Sequence, residues 1–314
     1  MNDDGQPTAW ERSVLEGLLR DTLNEQRRAR RWRIFSRLLT VLLILLVLGI
    51  VSQDGGVPQV TGRHTALVQL NGIIAPGTDA DADLMIQSLR AAYGNKHVTG
   101  VVLRIDSPGG SPVQAGRIND EIRRLRKLHP NVPLHAVIDD ICASGGYYVA
   151  VAAERIYADK ASVVGSIGVL MNGFGFTGAM DKLGIERRLL TAGAHKGFLD
   201  PFSPENPADV AHARELLTSI HGQFIDQVRQ GRGDRLKDDP ALFSGLVWTG
   251  AQAVDMGLVD ALGDADSVAR DVFKADKLVD YTARPAYFEK LIRSAGSEAA
   301  SALLNGLSTE LRWR

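Results

Sequence analysis

The sequence predicts an α/β fold built around a mostly parallel β-sheet, and three observations carry the prediction. Runs rich in branched apolar residues alternate along most of the chain with helix-length amphipathic runs, the pattern of repeated βαβ units. The 32 glycines cluster in particular loops, as in proteins with many tight turns. Two of those clusters, "DSPGGSP" and "ASGG", fall where a strand-like run gives way to a helix-like one. At 314 residues and 45% hydrophobic composition the chain can bury a full core.

Before that region the first sixty residues carry a different signal. Leu38 to Val51, "LLTVLLILLVLGIV", is apolar apart from Thr40, and Arg27, Arg28, Arg30, Arg31, Arg33 and Arg37 precede it. A buried helix is not normally led in by such a cluster. A cleaved signal peptide would need a small-x-small site, which "GIVSQ" supplies poorly. We therefore expect one N-terminal transmembrane helix over 34–51, a signal anchor extended by Ile34 and Phe35 while Arg37 snorkels. No Lys or Arg follows until Arg63, so the positive-inside rule places 1–33 in the cytoplasm and the rest outside.

Residues 52–64 form a polar linker bearing glycine and proline. A main domain is expected over 65–280. "TALVQLNGII" (65–74), "VTGVVLRI" (98–105) and "VPLHAVI" (132–138) read as strands, with helices over Asp81–Tyr93 and Pro112–Leu128 between them. Ser111 followed by Pro112 is a clear helix start. "ERIYAD", "VVGSIGVL" and "IERRLLTAG" read as further strands and Pro207–Arg229 as a long helix. "TGAQAVDMGLVDALGDADSVARDVF" reads as helix, turn, short strand and helix, and 281–314 as a weakly amphipathic helical tail.

Several function classes drop out. The net charge of −1 and the acidic partners interleaved with Arg117, Arg123, Arg124, Arg126 and Lys127 give no nucleic-acid surface. A single cysteine, Cys142, excludes an intramolecular disulfide and any multi-cysteine metal site. Neither a Walker pattern nor a Gly-x-Gly-x-x-Gly accompanies the glycine loops, which argues against phosphate binding. No cofactor or metal is expected.

What remains is a serine between glycine-rich loops. Ser144 lies at a strand-to-helix junction, where backbone N–H groups lack intrahelical partners. Taken alone it reads as a plain helix N-cap. "RIDSPGGSP" (104–112) makes a second such junction, and loops after successive parallel strands open on one sheet edge. Two donor-rich loops facing each other, one bearing a hydroxyl, have the geometry of a nucleophile with an oxyanion hole. The hydroxyl needs a base. His195, with Asp139, Asp140 or Asp200 as orienter, offers a triad; Lys196 offers an amine that must be neutral, against an ordinary pKa of ~10.4. Cys142, Tyr147 and Tyr148 read as packing residues.

The same residues resemble a known family. "RIDSPGGSP", "CASGGYYVAVAAERIYADKASVVGSIGVL", "TAGAHK" and "WTGAQAVDMGLVDALG" are similar to the S49 serine peptidases of the signal peptide peptidase A and SohB group, in the short, single-length form. That resemblance, over roughly 65–275, implies a ClpP/crotonase-like fold, Ser144 as nucleophile, Lys196 as general base and Ser166 as the hydroxyl orienting the lysine. It implies the amides of Gly110 and Gly145 as the oxyanion hole. It also implies a ring-shaped homo-oligomer and extended apolar peptide substrates such as released signal peptides or membrane-protein fragments. The expectation is a membrane-anchored endopeptidase on the periplasmic or extracytoplasmic side of the cytoplasmic (inner) membrane, held to the lipid bilayer by its first helix. Two alternatives stay open: a crotonase-like acyl-CoA enzyme, which an extracytoplasmic location disfavours, and a non-catalytic membrane scaffold.

Overall fold

A computed structural model describes residues 26–28, 30–45 and 60–284. The chain divides into two units, 1–56 with 286–314 and 57–285, each treated by itself.

In the first unit residues 30–45 form a helix, α1, whose described side chains are exposed. No helix among the described residues is long and apolar enough to cross a membrane. The expected span 34–51 is helical as far as 45, and its last six positions, 46–51, lie outside the described residues. So do most of the basic segment 1–33 and the linker 52–64. Of the C-terminal tail, 281–284 carry no regular structure and the remainder is likewise outside the described residues.

The second unit is built on strands β1 (His64–Asn71), β2 (Val98–Ser107), β3 (Leu134–Ala143), β4 (Arg155–Ala158), β5 (Val163–Gly165), β6 (Val247–Thr249), β7 (Ala261–Leu262) and β8 (Leu278–Asp280). Their order is β6-β5-β3-β2-β1-β8, with β4 beside β3 and β7 beside β4. Every pairing is parallel except β5 with β6. Helix α2 (Ala82–Gly94) is capped by Asp81, which accepts from Asp83 N, and α3 (Pro112–Leu128) by Ser111, which accepts from Gln114 N. Ala115, Ile118, Ile122 and Leu125 of α3 recur at helical spacing and pack on the sheet with Met85 and Leu89 of α2. The long helix α6 (Pro207–Arg232) adds Phe224 and Val228 to the same core. The opposite face holds a smaller cluster: Leu67, Val102, Val137 and Tyr157 under Ala265, Val268 and Phe273. Gly100 permits that seal, because a Cβ there would lie 2.6 Å from the Phe273 ring.

Three expectations need correction. The third strand does not end at Ile138; it runs to Ala143 and changes neighbour on the way. His135–Ile138 pair with β4, and Ile141–Ala143 with β5, so Asp139 and Asp140 mark the exchange rather than a turn. "VVGSIGVL" yields only three strand residues, because Gly165 (φ 119°) and Ser166 (φ 51°) swing the chain away. "IERRLLTAG" forms no strand. Its apolar pattern pairs with no strand among the described residues, and Leu190 is 96% exposed.

Candidate active site

The parallel order delivers the ends of β2, β3 and β5 to one edge. Ser107 is in register with Cys142, and Ala143 with Gly165. One residue further on, Ser144 N donates to Gly165 O at 2.9 Å. The loops beginning at Pro108, Ser144 and Ser166 therefore lie side by side.

Ser144 is held in an uncommon backbone conformation, φ 50° and ψ −121°. A non-glycine residue there costs of order 1 to 3 kcal/mol unless its surroundings enforce it. The carbonyl of Ser144 accepts from Tyr148 N at the start of α4 (Gly145–Ala150), yet its side chain makes no capping bond. This removes the plain N-cap reading: Ser144 is half-buried, and its hydroxyl has no hydrogen bond among the described residues.

Facing it is the glycine loop, with Gly109 at φ 101° and Gly110 at φ 149°. A Cβ on Gly109 would come within 2.8 Å of Ser144 Cβ and 2.7 Å of Gly145 N. A Cβ on Gly145 would lie 3.2 Å from Gly110 N. Side chains are thus excluded where the two loops meet, leaving backbone amides against the serine. Among the described residues neither the Gly110 nor the Gly145 N–H donates to a partner. Two unpaired donors beside a free hydroxyl can receive the oxygen of a carbonyl under attack.

Ser166 joins this edge, its N–H donating to Leu246 O at 2.7 Å and its residue half-buried. Lys196 does not. It lies in an exposed turn, its N–H donating to Gly193 O, and its ammonium makes no hydrogen bond or ion pair with a described residue. The neighbouring His195 has a partner that the sequence reading missed: its Nδ1 sits 2.6 Å from Asp209 Oδ1, in the first turn of α6. The proposed orienters are engaged elsewhere or exposed. Asp139 faces Arg104 at 3.2 Å, Asp140 is exposed, and Asp200 accepts from Ser203, Phe202 N and Arg187, which hold its carboxyl below the usual range. Only fourteen residues separate His195 from Asp209, but the signal lies in a helix start, Asn206-Pro207, that carries no motif.

Cys142 is buried, and burial pushes its thiol well above the ordinary range, so it is inert packing as read. Tyr147 is buried, its hydroxyl donating to Leu258 O, and Tyr148 packs on Phe224. Among the described residues no cluster of three or more His, Cys, Asp or Glu side chains is placed to hold a metal.

Comparison with known proteins locates the chain. The model of peptidase family S49 matches residues 126–279, a range that holds Ser144, Ser166 and Lys196 but starts after Gly110. A candidate protease of Synechocystis sp. is 30% identical over 203 residues, 65% of this chain and 71% of that protein. A candidate signal peptide peptidase SppA of Enterococcus faecium is 28% identical over 230 residues, 71% of this chain and 66% of that protein. The sodium/proton antiporter NhaA of Brucella abortus is 43% identical over 212 residues, 66% of this chain. The alignment spans only 29% of that antiporter's length.

Proposed function

We propose that this chain, which belongs to peptidase family S49, is a serine endopeptidase in which Ser144 attacks a peptide carbonyl. The observation that carries the reading is the strained Ser144, its side chain unbonded, set against the Gly110 and Gly145 amides that are unpaired among the described residues. In the first step the Ser144 Oγ–C bond forms as its proton passes to a base, and the carbonyl oxygen takes the charge toward those amides. The base then returns the proton to the leaving amine, and water resolves the acyl-enzyme by the same route in reverse.

Lys196 is the proposed base, with Ser166 orienting its amine. Lys196 is exposed, and its side chain is unpaired among the described residues, which suits a lysine that meets Ser144 of a neighbouring copy in a head-to-tail ring. Extended apolar peptides, released signal peptides among them, are the proposed substrates. The apolar segment 34–51 is the proposed anchor, and the arginines that precede it favour the extracytoplasmic face for the domain.

One observation favours a second reading. The His195–Asp209 pair at 2.6 Å has the geometry that the outer half of a Ser-His-Asp triad needs. Peptide hydrolysis by three variants of the full chain separates the two. Ser144→Ala is expected to lose activity by at least about a thousandfold, and Lys196→Ala nearly as much, while His195→Ala stays within a few-fold of wild type. An inactive His195→Ala beside an active Lys196→Ala establishes the triad instead. If lysine is the base, the rate also rises with pH as the amine loses its proton, since only the neutral form accepts one.

A further inference from the structure

We infer that Ser107 is a positioning residue for the oxyanion donor Gly110, acting through the turn that follows β1. The inference rests on the reading of Ser144 as nucleophile and Gly110 as donor. It goes beyond that reading by assigning what aims the donor.

Gly109 and Gly110 have no side chains to fix their orientation, and both occupy positive φ, where glycine has little intrinsic preference. Something outside the pair must hold it. Ile74 does so directly: its N–H donates to Gly109 O at 2.9 Å, and its carbonyl accepts from Ser111 N at 2.8 Å. Ile74 and Gly110 thus form a one-residue parallel bridge. In such a bridge the groups flanking the central residue turn toward the partner strand, and its own N–H turns away. The Gly110 N–H is therefore directed off Ile74, toward the side where Gly145 approaches. Moving Ile74 would turn the donor.

Ile74 is in turn anchored by Ser107. This last residue of β2 is fully buried. Its hydroxyl donates to Gly72 O at 2.6 Å and accepts from Gly109 N at 3.1 Å. One oxygen thereby joins the turn carrying Ile74 to the loop carrying Gly110. The Ser107 carbonyl also lies against the serine loop, since a Cβ on Gly146 would come within 2.9 Å of it. On the outer side Thr78 Oγ1 donates to Ile73 O at 2.9 Å. Removing the Ser107 hydroxyl leaves the buried Gly109 N–H without its acceptor and unties it from the exposed Gly72 carbonyl, a loss that the loop relieves by re-seating.

The test uses the full chain with a chromogenic peptide and a peptide aldehyde, whose hemiacetal oxygen occupies the donor site. Ser107→Ala, with a cooperative melt as the check on folding, is expected to lower kcat by about tenfold to a hundredfold. Its KM should stay within a few-fold, its pH–rate midpoint should not move, and aldehyde affinity should fall in parallel with kcat. Thr78→Val, at a half-buried position, reads the same bridge if Ser107→Ala does not fold, and predicts a smaller kcat loss in the same direction. A folded Ser107→Ala with unchanged kcat, or with a loss confined to KM, overturns the inference; so does an unfolded Ser107→Ala accompanied by an unaffected Thr78→Val. Failure of the underlying reading looks different: wild type would then take no fluorophosphonate on Ser144, and Ser144→Ala would keep its activity.

Discussion

The edge around Ser144 and the segment from 168 to 206 lie on the same domain and are built in opposite ways. At the edge every main-chain turn is tied down: Ser144 N to Gly165 O, Ser166 N to Leu246 O, and Ile74 to the glycine loop from both sides. Among the described residues the Gly110 and Gly145 N–H groups are left unpaired there, and they are the ones that the proposed mechanism uses. In the segment, one short helix, α5 (Thr177–Leu183), buries none of its residues. Leu170, Phe174, Leu183 and Leu190 are all more than 70% exposed. Apolar side chains of that size are seldom left together in water without a function. On the proposed reading, the half of the site that carries Ser144 is finished within one chain, whereas the half that carries Lys196 stands on an exposed apolar surface. A neighbouring copy is the proposed cover, and the contrast can be attacked at either end.

The largest effect is expected from the uncovered segment. Replacing Phe174 and Leu190 by Asp should cost little in monomer stability, within about 0.5 kcal/mol for exposed positions. Peptidase activity should nevertheless fall by about a hundredfold or more if assembly brings the base to the serine, and sedimentation should show a smaller particle. Full activity in a folded variant would break the contrast, because the apolar surface would then have no part in catalysis.

A middling effect is expected in the finished core. Gly100→Ala sets a Cβ against the Phe273 ring and should destabilise by about 1 to 3 kcal/mol, read as a shifted denaturation midpoint. Because Gly100 is remote from the serine edge, kcat per folded molecule should be unchanged.

The smallest effect concerns pH. His135 is buried between Tyr157 and Phe273, and its Nδ1 has no partner among the described residues. Burial, reinforced by Arg155, pushes its pKa down to about 4 from 6.5. The folded state keeps it neutral while the unfolded chain takes up a proton below 6.5. Stability is therefore complete above 6.5 and is lost as pH falls toward 4. Glu121 acts lower down: the bond from Arg124 leads in holding it at about 2, against the usual 4.5, so its contribution disappears only below 4.5. His135→Leu should flatten the melting temperature between pH 6.5 and 4.5 and leave the steeper acid limb in place. An unchanged slope in the upper window would show that His135 does not carry it.

How much of this was legible in the sequence follows the same division. The helix starts at Asp81 and Ser111, the alternation of β1 to β3, and the two glycine loops are written in local residues, and the structure places them as read. The continuation of β3 through Asp139–Asp140 was not legible, since it depends on exchanging one partner strand for another. Nor were β6 and β8, three-residue strands that exist because distant strands offer edges to them. "IERRLLTAG" misled for the converse reason, an apolar pattern that pairs with no strand among the described residues. At the site, Ser144, Gly110, Gly145 and Ser166 share one edge, as their motifs imply. The part of Ser107 and the His195–Asp209 contact were illegible, because each depends on a hydrogen bond between segments whose approach no short motif encodes.

The sharing of one active site between copies is tested most directly by mixing two dead chains. Ser144→Ala and Lys196→Ala proteins, each inactive alone, are co-expressed and the mixed assembly is assayed on a peptide. In a head-to-tail ring, random mixing sets an intact serine against an intact lysine at about a quarter of the interfaces, because each side is correct half the time. Activity near that fraction of wild type is the predicted result. Mixed assemblies that form and remain inactive would place serine and base in a single chain, and the division between a finished half and an uncovered half would lose its meaning for catalysis.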